Sequence, residues 1–219
     1  MPDWRAHADR EEARYEDGEA RLGDAADDDA RQRQLTRMGN AAAGAGLAHL
    51  VAGDAKRARE WFDRAVARYH ESFELAPPES WGRPLATVKA RVLLGDWAAA
   101  EDEARWTLEV GAAESKSPIG RYAACLAFLV LGRYAEARVL ADGLRTHDDF
   151  PAAVGDALAF IAAQDRVGYI VAVESVLESF EKRQAYLEDL PVADTVMVLQ
   201  ALAARVGIAA ELSSELLPA

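Results

Sequence analysis

The chain has 219 residues, of which 51% are hydrophobic and 28% are charged, and its formal net charge at pH 7 is -12. This composition predicts one globular domain, and the negative charge disfavours nucleic acids and anionic membranes as partners, because their phosphates carry the same sign. Alanine is abundant and alternating Val/Ile/Thr runs are scarce, so the sequence predicts an all-α fold.

The acidic composition leaves two interpretations open. Lysine occurs only at positions 56, 89, 116 and 182, so arginine supplies most of the positive charge. This is typical of halophilic proteins, which fold in molar salt where charges are screened within about 3 Å. It also fits an acidic protein from an organism with arginine-rich codon usage. A thermal melt in increasing potassium chloride separates the two, because a halophilic protein loses its fold at low salt.

The start of the chain and its uncharged stretches predict no secretory signal and no membrane helix. Residues 1–12 are charged, and the longest uncharged stretch, residues 38–53, is too short and too weakly apolar to cross a bilayer. The single cysteine, Cys125, lies inside an apolar run and is expected to be an unreactive core thiol. We therefore expect a soluble, cytoplasmic protein.

The sequence predicts a single domain made of three consecutive segments. Residues 1–30 are acidic, and the spacing of their large apolar residues suits an amphipathic arm or a loosely held helix. Residues 31–190 show the pattern of helical hairpins. Residues 191–219 predict a capping helix and a tail.

A helix–turn–helix pattern occurs three times, with turns at Gly53, Gly95 and Gly132. A degenerate fourth unit, with larger residues after the turn, is centred on Gln164. The positions five, nine and twelve residues after each turn are mostly alanine, and alanine lets two helices pack closely. In the three clear units these are Ala58, Phe62, Ala65; Ala100, Ala104, Thr107; and Ala137, Ala141, Leu144.

This spacing, with Trp97 and Tyr134 two residues after their turn glycines, resembles the tetratricopeptide repeat over residues 40–185. The resemblance implies a right-handed α-α superhelix of about 8 to 10 helices. The turn glycines lie farther apart than in that repeat, so we expect the superhelix to be irregular. The end of the chain, from Ala193 through Gly207 to a Leu-Leu-Pro tail, is similar to the end of the immunity protein 49 family. Members of that family are believed to neutralise toxins by binding them.

The sequence predicts no catalytic residue, no metal site and no cofactor. The four histidines lack the spacing of metal ligands, and the nearest pair, His70 with Glu74, is more simply a surface hydrogen bond. No serine stands in a Gly-x-Ser-x-Gly turn, and Cys125 has no histidine beside it. A catalytic site assembled in space stays an alternative.

The first helix of each pair lines the concave face in tetratricopeptide arrays. Here the corresponding residues are mainly apolar: Ala43, Leu47, Val51, Leu85, Lys89, Val92, Tyr122, Leu126 and Leu129. We therefore expect the face to be covered by the chain's own terminal helices, by a second subunit or by an apolar partner segment. Cations near this face could clamp a carboxylate. The candidate binding residues are Trp81, Arg83, Lys89, Arg91, Arg121 and Tyr122.

The leading functional prediction is a non-enzymatic scaffold that binds a protein or peptide. One alternative is an immunity protein that neutralises a polymorphic toxin. Another is a small-ligand-binding or catalytic protein with its site in the helical concavity, and self-association into a homo-oligomer is also open. Neither nucleic acid nor membrane is an expected partner.

Overall fold

A computed structural model describes residues 3–218, apart from the side chain of residue 187. This part of the chain is all-α, as predicted, with ten α-helices and short 3-10 segments at Leu22–Asp24, Ala112–Glu114 and Leu187–Asp189. The helices are α1 Trp4–Ala20, α2 Asp28–Val51, α3 Ala55–Glu74, α4 Gly82–Leu93, α5 Trp97–Glu109, α6 Pro118–Val130, α7 Tyr134–Leu144, α8 Ala152–Ala163, α9 Arg166–Glu181 and α10 Asp194–Arg205.

Four helix–helix turns share one geometry. Gly53, Gly95 and Gly132 have φ values of 81°, 65° and 70°, a left-handed conformation that glycine adopts without steric cost. The amide after each glycine donates to the carbonyl five residues earlier, at 2.9, 3.1 and 2.8 Å, which caps the preceding helix. Gln164 makes the same turn with a φ of 55°. The fourth unit therefore keeps this geometry without a glycine.

The residues five, nine and twelve positions after these four turns are all buried, with at most 2% of their surface exposed. Small side chains at such positions let consecutive helices approach closely. Five positions after the turn, the fourth unit buries Tyr169 where the first three units bury alanine. The twelve residues are Ala58, Phe62, Ala65, Ala100, Ala104, Thr107, Ala137, Ala141, Leu144, Tyr169, Val173 and Val176.

Each helix from α1 to α9 packs on the next one along the chain, and α6 packs on both α4 and α8. The last helix, α10, returns to contact α4, α8 and α9. Val88 and Val92 of α4 lie in the same apolar core as Leu199 of α10. The chain's own C-terminal helix therefore covers part of this apolar face.

The acidic N-terminal segment forms a packed helix. Helix α1 lies against α2 and buries Tyr15 and Glu11, with 4% and 0% of their surfaces exposed. Gly44 of α2 permits this approach, since a Cβ atom there would lie 3.1 Å from Cγ of Glu11. On another side of α2, a Cβ atom at Gly39 would lie 2.7 Å from the Tyr69 ring of α3. The glycines of α2 therefore let two neighbouring helices pack against it.

Candidate functional site

A cleft with a volume of about 150 Å³ lies between α2 and α4. The chain that joins α9 to α10, residues 182–193, covers part of it; we call this chain the strap and the cavity the inner cleft. Its wall is mostly apolar, and three of the residues predicted for the concave face, Ala43, Leu47 and Lys89, line it. The other apolar groups of the wall include Phe62, Ala90, Leu93 and Leu190.

Lys89 of α4 forms an ion pair with Asp194 at the start of α10. The two side chains are 18% and 29% exposed, so the pair is largely sheltered from water. Burial alone lowers the pKa of Lys89, but the neighbouring Asp194 carboxylate outweighs it, and the pKa is raised above its ordinary value. The wall of the inner cleft therefore carries a charged ammonium group at neutral pH.

The strap supplies a second cation and a second carboxylate to the cleft, Arg183 and Glu188. The Arg183 guanidinium lies 3.6 Å from the centroid of the Phe180 ring, in a cation–π contact. The Glu188 carboxylate accepts a hydrogen bond from Arg14 of α1, and the Glu188 carbonyl accepts one from Arg10. These bonds fasten the strap to α1.

The backbone of the strap is strained near its fastening point. Glu188 and Asp189 have φ values of 54° and 51°. Two consecutive non-glycine residues in the left-handed region cost about 1–3 kcal/mol each. The strap is therefore held in place against local backbone strain.

Tyr122 of α6 is buried behind this site, with 6% of its surface exposed. Burial raises its pKa to about 12. Its hydroxyl lies near Thr195 of α10 but outside hydrogen-bonding geometry, so within residues 3–218 it has no partner. Lys89 is close enough for its charge to act on this phenol. Tyr122 thus borders the site from the core side.

The other predicted binding residues lie outside the inner cleft and serve other contacts. Trp81 is a core residue, 7% exposed, whose indole Nε1 donates to Glu79 Oε2 at 2.8 Å. Arg91 forms an ion pair with an aspartate of α3. Arg121 Nε donates to the Ser115 carbonyl at 3.2 Å. Of the six predicted residues, Lys89 alone is in the cleft wall.

Arg83 forms a junction between three helices. Its Nε donates to Ser72 Oγ of α3 at 2.7 Å, and its Nη2 donates to Thr36 Oγ1 of α2 at 2.8 Å and to Gln32 Oε1. These acceptors are neutral. Burial therefore lowers the pKa of Arg83, with no carboxylate among these acceptors to offset it. The junction ties α4 to α2 and α3.

The histidine and cysteine predictions have different outcomes. The expected pairing of His70 with Glu74 is wrong, because His70 Nε2 lies 2.8 Å from Glu103 Oε2 of α5 instead. Its ring also contacts the Trp106 ring at a tilt of 47°, with 3.9 Å between centroids. The Cys125 prediction is confirmed, since its side chain is buried and burial raises the pKa of the thiol.

In the part of the chain that the structure describes, residues 3–218, no three His, Cys, Asp or Glu side chains come together as ligands for a metal ion. No helix in it combines the length and the hydrophobicity that a membrane crossing needs.

Three charged residues of the cleft wall were not predicted: Arg183, Glu188 and Asp194. All three follow the last hairpin, and nothing in the adjacent sequence marks them. Asp194 is separated from Lys89 by 105 positions, and the return of α10 to α4 brings the two together. The sequence signal for this contact was the apolar face of α4, which predicts that another segment packs against it.

Comparison of the chain with protein-family models, with curated proteins and with solved structures found no match. Its function is therefore inferred from the side chains of the inner cleft and from the packing of its helices.

Proposed function

We propose that this chain is a non-enzymatic, tetratricopeptide-like scaffold that binds a protein or peptide partner in the inner cleft. One observation carries the proposal: the cleft already holds a non-helical segment of its own chain, residues 190–193. Leu190 and Val192 of the strap are each 3% exposed and pack in one cluster with Ala48 of α2. A surface that buries a non-helical segment of its own chain has the apolar character to bury one from another protein.

The regularity of the hairpins supports a right-handed superhelix of the tetratricopeptide kind. The same cap recurs at Gly53, Gly95 and Gly132, and the equivalent positions after each turn are buried. In stacked hairpins of this type each unit contacts its neighbours, and corresponding helices form a shared inner surface. The packing of α6 on α4 and α8 agrees with that arrangement.

The strap is weakly enough held for a partner to replace it. The Arg14 side chain of the Arg14–Glu188 pair is 48% exposed and that of Glu188 is 15% exposed, and an ion pair that solvent reaches from one side contributes on the order of 1 kcal/mol. The left-handed Glu188 and Asp189 cost about 1–3 kcal/mol each, and release of the strap relieves that strain. An incoming apolar segment therefore competes mainly with the burial of Leu190 and Val192.

Capture of the partner by matched variants tests the proposal. We expect the wild-type chain to bind one partner at fixed stoichiometry in lysate of the source organism. Ala43→Glu, which places a charge in the cleft wall, should lose that partner while keeping its helical circular dichroism. Val139→Glu, at a position 73% exposed on α7, should retain it. If Ala43→Glu still binds the partner and Val139→Glu does not, the interface lies outside the inner cleft.

Toxin immunity is the most concrete form of this proposal, and it rests on the resemblance of the C-terminal segment. Co-expression of the chain with the product of an adjacent gene tests it directly. We expect the chain to restore growth to cells that are inhibited by that product. An adjacent product that is harmless when expressed alone would argue for another partner.

A further inference from the structure

We infer that the inner cleft is also a binding site for a small apolar carboxylate, whose carboxylate group is bound by Lys89 and Arg183. This goes beyond the binding of a partner protein, because it concerns the space that remains while the strap is in place. That space has a volume of about 150 Å³.

The cleft has more hydrogen-bond donors than the protein uses. The Lys89 ammonium carries three N–H donors, of which one is directed at Asp194. The Arg183 guanidinium carries five, and its described contact is with the face of the Phe180 ring rather than with an acceptor. Within residues 3–218, most donors of these two cations therefore lack a protein acceptor.

The acceptors of the cleft, by contrast, are engaged. Asp194 accepts from Lys89, and Glu188 accepts from Arg14. A ligand cation would compete for carboxylates that are already paired and would meet the repulsion of two positive charges. A ligand carboxylate also meets Asp194 and Glu188, but their charges are offset by Lys89 and Arg14. It supplies the oxygens that the free donors lack, in charge-assisted hydrogen bonds that are stronger than neutral ones.

The size and polarity of the remaining wall define the rest of the ligand. Ala43, Leu47, Phe62, Ala90 and Leu93 offer apolar surface. A cavity of this volume accommodates a group on the order of benzene, whereas drug-sized ligands need about 300 Å³ or more. Each methylene group buried against such a wall strengthens binding about fourfold. A branched carboxylic acid of a few carbons therefore suits both parts of the cleft.

Titration calorimetry on the full chain with three probes tests the inference. We expect 4-methylpentanoate to bind at one site, acetate to bind at least tenfold more weakly, and 3-methylbutylamine to give no binding. The acetate difference follows from the loss of the apolar chain, and the amine result follows from the charge of Lys89 and Arg183. Equal binding of the amine, or no binding of 4-methylpentanoate at 10 mM or so, would overturn the inference.

Three variants locate the binding. Arg183 is exposed, so Arg183→Met should fold and bind 4-methylpentanoate about tenfold more weakly. Ala43→Leu should abolish binding by filling the cleft. Lys182→Met is the matched control, because Lys182 is 70% exposed and pairs with Glu178 on α9. Unchanged binding in both the Arg183 and Ala43 variants would exclude this site. Carboxylate binding needs no partner protein, so this result and the partner experiment can fail separately.

Discussion

The N-terminal helices α1–α3 and the helices α4–α10 are stabilised by different interactions. One continuous apolar core runs through α4–α10, whereas α1–α3 bury their apolar groups in three smaller clusters. The N-terminal helices also bury Glu11, Gln32, His49 and Ser72, whereas the buried polar side chains of residues 75–218 are the hydroxyl groups of Thr87, Thr107 and Ser115. Buried polar groups need partners, so α1–α3 depend on hydrogen bonds and charge where α4–α10 depend on packing. The inner cleft lies where the two kinds of packing meet.

The largest effect is expected from Leu199→Ala in α10. Leu199 is 0% exposed and belongs to the continuous core, so its removal leaves a cavity and lowers the free energy of unfolding by about 2–5 kcal/mol. Denaturant unfolding measures this loss. Val139→Ala, on the exposed side of α7, should change stability by less than about 0.5 kcal/mol. Faster hydrogen exchange confined to α10 would contradict a core shared by α4–α10.

The double variant Arg10→Ala/Arg14→Ala should weaken α1 by about 2 kcal/mol. Glu11 is 0% exposed, and its carboxylate accepts from Arg10 Nε at 2.9 Å and from Arg14 Nη1 at 2.8 Å. Hydrogen exchange should accelerate in α1 and stay unchanged in α6. Adding Glu11→Gln should recover part of the loss, because a neutral amide is less costly to bury.

The matched control for that double variant is Arg5→Ala, since Arg5 is exposed on the same helix. It should leave exchange in α1 unchanged. If the double variant instead accelerates exchange equally in α1 and α6, the two regions unfold as one unit and the contrast between them is lost.

Asp96 joins the two regions, and its removal should have a smaller, pH-dependent effect. Its carboxylate accepts from Arg59 of α3 and from the Ala99 amide of α5 at 3.3 Å. The bond from Arg59, followed by that from the Ala99 amide, holds the pKa of Asp96 below its ordinary value. A depressed folded pKa gives stability that is present above the unfolded pKa and is lost as pH falls through the folded pKa.

Asp96→Asn keeps a capping side chain but removes the charge, so it should lower the free energy of unfolding by about 1 kcal/mol at pH 7. The stability of this variant should then decrease less than that of the wild type as the pH falls below about 4. Denaturant unfolding at pH 7 and pH 3 measures both. Asp148→Asn, in the exposed loop after α7, is the control and should leave the pH profile unchanged. An unchanged profile in the Asp96 variant would show that this bond does not couple the regions.

The smallest effect is expected for the labelling of Cys125 by a thiol reagent in the Arg10/Arg14 variant. Cys125 is the single cysteine, is 0% exposed in α6, and burial raises the pKa of its thiol. A thiol reagent should therefore reach it only when α4–α10 open. Its labelling rate should stay within about twofold in the Arg10/Arg14 variant and rise strongly with Leu199→Ala. Rapid labelling of the native wild-type chain would contradict the burial of α6.

The hairpins could be predicted from sequence because their signals are local. Gly53 and the buried positions after it lie within one turn and one helix, and the same spacing holds without glycine at Gln164. The inner cleft could be predicted only in part. Lys89 could be predicted because it lies on the first helix of a hairpin. The presence of Arg183 and Asp194 in the cleft depends on the path of the strap and on the return of α10 to α4. No local pattern encodes such a return.

The return of α10 to α4 also affects folding during synthesis. Lys89 and Asp194 are separated by 105 positions, and synthesis proceeds at about 5–20 residues per second. Helix α10 therefore leaves the ribosome about 5 to 20 s after α4. During that interval the part of α4 that later contacts α10 has no cover from that helix. A nascent chain in this state can bind a chaperone or a neighbouring copy through the same face that α10 later occupies.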